Sequence, residues 1–250
     1  MRRAAAALLA LVLAGPAAAG LPPAEFAAFA FRQQPGARLP LEVELRDAAG
    51  RPLRLAYLFG GPPVLIDFDY DRCTVLCGVM LDRIAAALAA LPLRPGRDYR
   101  LVAIDIDPQA TPQQAAAFAA AHGAAGAAVL TGDAAAIRRL AEAAGFPYRR
   151  DPASGQYAHP AGLVVATPDG TISRYLLGLD WRPLDLRLAL AEAAAAAVAP
   201  PADRVLLFCY HYDPQSGRYD LAVGRLLEIV GAASLAAVAG LVWAARRRPG

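Results

Sequence analysis

Two cysteines four residues apart, Cys73 and Cys77, stand in FDYDRCTVLCGVMLDRI, between an apolar run and a segment of helical spacing. If the turn is helical from Cys73 on, residues i and i+4 share one face, and the two sulfurs can converge on one small object. That object is either a disulfide or a metal ion. Thiolates are soft ligands that favour monovalent copper, and an added imidazole makes a compact site usable by either copper oxidation state, Cu(I) or Cu(II). The same pair can also work without a metal, Cys73 attacking a partner's disulfide and Cys77 resolving the mixed disulfide. Only three histidines, His122, His159 and His211, can supply the nitrogen.

The surrounding elements decide which of these residues can meet. LPLEVELRDAAGRPLRLAYLFG reads as a hairpin about Asp47–Gly50, and PPVLIDFDY as a central strand covered on both faces. Helical spacing runs from Val79 to Leu91, ahead of Pro92. A strand at YRLVAIDID follows, then a helix capped by Thr111 with Pro112 as its first residue. A short strand AAVLTG and a helix from Asp133 to Gly145 come next. GLVVATPDGTISRYLLG is a second hairpin, turning at Pro168–Gly170, and a helix from Pro183 to about Val198 closes the unit. This order predicts an α/β fold: a thioredoxin-like mixed central sheet covered by helices. Cys73 then lies near a helix's first turn, where unpaired N–H groups and the helix dipole favour a thiolate, while Asp69 and Asp71 oppose it. The loop carrying His159, in SGQYAHPAGLVV, faces that turn. His159 is therefore the candidate third ligand, and His122, ending AAAFAAA before Gly123, reads as a helix-end residue that caps the last carbonyls.

The ends of the chain indicate a compartment. Arg2 and Arg3 precede an apolar run, and Ala17–Ala19 offers a small-residue cleavage site, the pattern of a secretory signal peptide. From Leu226 to Ala245 the only charge is Glu228, and Arg246–Arg248 follow, as in a C-terminal transmembrane helix with its basic end in the cytoplasm. The expected organisation is a signal peptide at 1–19, an N-terminal segment at 20–37 and the thioredoxin-like domain at 38–198. A hairpin extension at 199–224, a transmembrane helix at 225–245 and a cytoplasmic tail at 246–250 complete it. This predicts a protein of the bacterial inner membrane whose functional domain faces the periplasm. Net charge is +3, but five of the arginines lie in the two terminal segments, so the remainder is slightly acidic and no nucleic-acid partner is implied. Three cysteines cannot all pair within one chain, which argues against a framework of structural disulfides and for specific thiol chemistry.

Taken together, LRDAAGRPLRLAYLFGGPPVLIDFDYDRCTVLC, IDIDPQATPQQ, VLTGD and YAHPAGLVVATPDGTISRYLLG resemble the Sco (SenC-type) family over roughly residues 38 to 198. The family comprises membrane-anchored, thioredoxin-like copper proteins that help assemble the dinuclear copper centre of cytochrome c oxidase. The resemblance implies copper ligation by Cys73, Cys77 and His159. It further implies a copper-binding oxidase subunit as partner, together with other periplasmic copper or thiol carriers. The chain departs from the family pattern where Thr74 and Gly78 replace prolines beside the cysteines, and around Ala110, where an acid is usual. It also exchanges the usual N-terminal anchor for a C-terminal one. Outside the resemblance, RVLLFCYHYDPQSGRYDL reads as a hairpin turning at Pro214–Gly217, with Cys209 and His211 on one face as an incomplete second ligand pair.

Overall fold

The apolar run Val64–Asp69 forms the middle strand of a five-stranded sheet, and everything that positions the cysteine pair is built around it. The computed structural model describes residues 29–73, 76–152, 154–179, 181–194, 210–221 and 229–238. Their strands are β1 (Glu44–Arg46), β2 (Pro52–Arg54), β3 (Val64–Asp69), β4 (Arg100–Asp105), β5 (Ala128–Leu130) and β6 (Arg149–Arg150). They continue with β7 (Tyr157–Ala158), β8 (Gly162–Ala166), β9 (Ile172–Leu177), β10 (Tyr210–Asp213) and β11 (Arg218–Leu221). The helices are α1 (Cys77–Ala89), α2 (Pro112–Ala121), α3 (Ala134–Ala143) and α4 (Pro183–Ala193).

The sheet runs β5-β4-β3-β8-β9, with β3, β4 and β5 parallel and β8 and β9 antiparallel to their neighbours. Alternation along each strand sends side chains to two cores. Ile66, Phe68, Val102, Ile104 and Val164 pack with Ile137 and Leu140 of α3. Leu65, Leu101, Leu163 and Leu176 pack with Leu81 and Ile84 of α1 and Leu186 of α4. The expected mixed sheet with helices on both faces is thus present.

Local chemistry explains most boundaries. Thr111 accepts the Gln114 N–H at 3.3 Å and Pro112 opens α2. Asp133 accepts the N–H groups of Ala135 and Ala136, starting α3. Three expectations change. The first hairpin is short, three residue pairs followed by a 3-10 turn at Leu55–Leu58, because Leu55 and Ala56 bond back to Val43 and Leu41 instead of extending the ladder. Helix α1 starts at Cys77 and ends at Ala89, two residues ahead of the predicted segment at each end. Helix α4 is described only to Ala193, short of Val198.

Strands β10 and β11 form a hairpin turning over 214–217 that lies against β9 and α4. Tyr212 Oη donates to the Tyr175 carbonyl at 2.5 Å, and the Tyr175 N–H lies 3.3 Å from the same oxygen. Tyr219 is buried in the core, its N–H donating to Asp185 Oδ1 at 3.1 Å. Burial alone would raise Asp185, but hydrogen bonds from Arg182 and from the Tyr219 backbone hold its carboxyl below the usual range.

Among the described residues no helix is long and apolar enough to cross a membrane. Residues 229–238 are helical. The rest of the apolar stretch at 225–245, the leader at 1–19, the tail at 246–250 and Cys209 lie outside the described residues.

Candidate metal centre

Strand β3 delivers the chain through Tyr70, Asp71 and Arg72 to Cys73, and α1 opens at Cys77. The first N–H groups of a helix have no partner within it. Here the first finds sulfur: Cys77 N–H donates to Cys73 Sγ at 3.3 Å. The Cys73 sulfur thus serves as an acceptor at the N-terminus of α1, two residues ahead of the start that helical spacing suggests. Thr74 and Val75, between them, lie outside the described residues. Cys73 is half-buried and Cys77 buried. The Cys77 thiol is pushed up by its hydrogen bond with Cys73, then by burial and by charge on Cys73. Asp69 adds a smaller push in the same direction.

His159 follows β7, which pairs with β6 in a two-residue ladder inside the segment expected to be a loop. The ladder brings the imidazole to the cysteines, between Tyr70 and Phe146 with ring centroids 5.9 and 5.5 Å away. Its Nδ1 lies 2.9 Å from the Pro160 carbonyl oxygen. A carbonyl only accepts, so Nδ1 carries the hydrogen and Nε2 the lone pair. Nε2 stands 3.7 Å from Cys77 Sγ. Burial lowers the His159 pKa, which keeps the ring neutral. Sulfur and nitrogen ligands at about 2.3 and 2.0 Å from one tetrahedral ion lie roughly 3.5 Å apart, so Cys77 and His159 already have the spacing of co-ligands. Among the described residues, no three His, Cys, Asp or Glu side chains form a metal-holding group as they stand.

Beneath the site lies a feature that the apolar reading of β3 missed. Asp67, Asp69 and Asp105 point to one face of the sheet and are all buried. Burial raises Asp67 and Asp105 to about 7. Asp69 is raised well above the usual carboxylate range too, by burial first and then by the charges of Asp67 and Asp105. Asp105 is well satisfied, accepting the N–H groups of Asp107 at 2.8 Å and Asp71 at 2.9 Å. Arg72 is ion-paired with Asp107. Tyr70, pushed up to about 12 by burial, donates to Gln156 Oε1 at 2.9 Å and ties the cysteine turn to the loop before His159. The signal in the sequence was the alternation DFDYD, acids at every second position of a strand.

The other candidates are placed elsewhere. His122 does not cap carbonyls with its ring: Nδ1 lies 3.2 Å from both oxygens of Asp82, and only its backbone N–H bonds back, to Phe118. The imidazole covers Gly78, where a Cβ would stand 2.6 Å from Nε2, so glycine beside Cys77 makes room for His122. His211 pairs with Asp220 in the β10–β11 ladder, and the second ligand pair lies outside what the structure describes, because Cys209 is not among the described residues.

With this geometry in place, comparison with known proteins gives concordant results. The family model described as SCO1/SenC matches residues 32–187. A "putative copper-binding protein" of Stutzerimonas stutzeri is 28% identical over 139 residues, covering 54% of this chain and 67% of that protein. A "putative electron transfer protein" of Aquifex aeolicus superposes with a TM-score of 0.60 at 23% identity, over 66% of this chain and 97% of that one. Yeast Sco1 with copper bound gives 0.52 at 19% identity, over 68% of this chain and 98% of its own. At such identities the structural likeness establishes the fold, a thioredoxin-like α/β sandwich.

Proposed function

Since the chain belongs to the SCO1/SenC family, we propose that it binds copper as cargo through Cys73, Cys77 and His159 and delivers it to the copper centre of a cytochrome c oxidase subunit. The observation that carries the reading is the His159 ring, fixed by Pro160 with its Nε2 lone pair toward Cys77 at 3.7 Å. A neutral, pre-oriented imidazole beside two thiols is a nitrogen-and-sulfur donor set suited to copper in both oxidation states. Loading displaces the Cys77 proton, and the half-exposed Cys73 is the ligand a recipient's thiol can reach first. Transfer then proceeds by exchange of one sulfur ligand at a time.

The experiment is His159→Ala in the purified protein. Divalent copper needs the nitrogen, so its affinity should fall by more than the roughly 10–100-fold that loss of an outer-shell partner costs. Monovalent copper, held by the thiols, should fall much less, and disulfide exchange should persist. Unchanged binding of both ions, with normal oxidase assembly in cells, would overturn the metal assignment.

The unequal exposure of the cysteines supports a second reading, that of a thiol:disulfide oxidoreductase. The accessible Cys73 attacks a disulfide of the oxidase subunit, and the buried Cys77 attacks Cys73 in turn. The partner leaves as a dithiol and Cys73 and Cys77 are oxidised. This chemistry has no use for His159, so the same variant separates the two activities.

We further propose that the domain works in the periplasm, held to the inner membrane by the apolar stretch at 225–245. The leader-like start and the terminal arginines support this orientation. A reporter fused after Gly250 should read as cytoplasmic and one fused near Pro200 as periplasmic; the opposite pattern would refute the orientation.

A further inference from the structure

Asp67 occupies an unusual position for a carboxylate. It is 1% exposed, and among the described residues its Oδ2 has no hydrogen-bond partner. Buried polar atoms without partners are rare, and each one calls for an explanation. Its shift is due to burial alone, with no cation compensating it; the nearby Arg72 is engaged by Asp107. Such a group costs the fold stability, so packing cannot be the reason for its presence.

Its location supplies one. Asp67 lines a small cleft with Cys77, His159, Met80 and Leu179. The cleft holds a cavity of about 10 Å³, the volume needed for roughly one water molecule. Four polar side chains line it, those of Cys77, His159, Asp67 and Asp69, and of the two carboxylates only Asp67 has a buried oxygen without a hydrogen-bond partner among the described residues. The neighbouring Asp105 cannot play this part, because both of its oxygens already accept backbone N–H groups.

We propose that Asp67 is the outer-sphere oxygen of the metal centre. A water bound to a divalent ion at Cys77 and His159 fills the cavity and donates a hydrogen bond to Asp67 Oδ2. This rests on the copper reading above and adds a selectivity element to it. Two thiolates and an imidazole satisfy monovalent copper, which needs no water. Divalent copper takes a further ligand and tolerates oxygen, so an acceptor for that water favours the divalent ion. Asp67 is thus a positioning residue acting through water, and it sets the preference between oxidation states.

The test uses the purified full-length protein, its thiols reduced, and titrates Cu(I) and Cu(II) separately by competition. In Asp67→Leu, which fits the apolar surroundings and lacks the acceptor, Cu(II) affinity should fall about 10–100-fold. Cu(I) affinity should stay unchanged, and thermal stability should be equal or higher. Asp67→Asn should lie between this variant and the native protein. Equal losses of both ions, or unchanged Cu(II) affinity, would overturn the proposal. Independently of any variant, the Cu(II)-loaded native protein should show an exchangeable proton coupling by electron–nuclear double resonance that disappears in D₂O. Absence of that coupling would overturn the role of Asp67 while leaving the copper site standing. A native protein that takes up neither ion would instead refute the copper reading itself.

Discussion

Serine in place of Cys77 is expected to abolish tight copper binding and disulfide exchange together while leaving the fold intact. Cys77 is the residue both chemistries share, facing the His159 nitrogen at 3.7 Å and donating its own N–H to Cys73 at 3.3 Å. A hydroxyl is a hard, un-ionised donor at neutral pH, so the ion loses one of two soft ligands. A fall in Cu(I) affinity of at least ~1,000-fold, about 4 kcal/mol, is expected. Folding should suffer little, since serine fits the space of cysteine and the backbone bond that starts α1 is retained, leaving a cost of about 1 kcal/mol or less. Competition with a chromophoric Cu(I) chelator, set beside a denaturant melt, measures both quantities. Retention of Cu(I) within tenfold would exclude Cys77 as a ligand.

Alanine at Gly145 should produce the largest loss of stability, roughly 3 kcal/mol. This glycine follows the last turn of α3 with φ +62°, a left-handed conformation that costs an L-residue about 1–2 kcal/mol. A Cβ there would also run into the carbonyl oxygen of Arg32. Relieving the collision breaks the 2.8 Å bond from Arg32 N–H to the Gly145 carbonyl. The damage should reach the metal centre as well, because the next residue, Phe146, stacks on Phe68 with centroids 4.6 Å apart and flanks the His159 ring. Chemical denaturation of the variant measures the loss; a change below about 0.5 kcal/mol would mean that the Arg32 segment moves aside at little cost.

How much of this was legible beforehand varied with the range of the interactions. Caps and turns are local, so Thr111, Asp133 and the Pro168–Gly170 turn fell where their side chains implied. The mixed, helix-covered sheet followed from alternating apolar runs and helices, whereas the order of its strands, set by long-range pairing, did not. The cysteine turn was harder: helical spacing suggested a start at Val79, but the acceptor that begins α1 is a sulfur, which no propensity rule anticipates. The aspartates of β3 were hidden by their neighbours, because Val64, Leu65 and Ile66 make the run read as a core strand. Only the third dimension shows Asp67 and Asp69 side by side with Asp105. The packing of His122 over Gly78 joins two helices far apart in the chain and left no mark on either segment alone.

The hairpin of β10 and β11 has a consequence for handling the protein. β9 is an outer strand of the five-stranded sheet, and the hairpin covers it through Tyr212 and the turn at Gly217 instead of continuing its ladder. An uncovered outer strand is a template for another chain, and its exposure drives aggregation. A fragment cut at the end of α4 would bare that strand together with the core surface around Tyr219. One carried through Leu221 keeps its own guard, so the boundary of a well-behaved soluble piece lies after the hairpin, beyond the limit of the family likeness at 187.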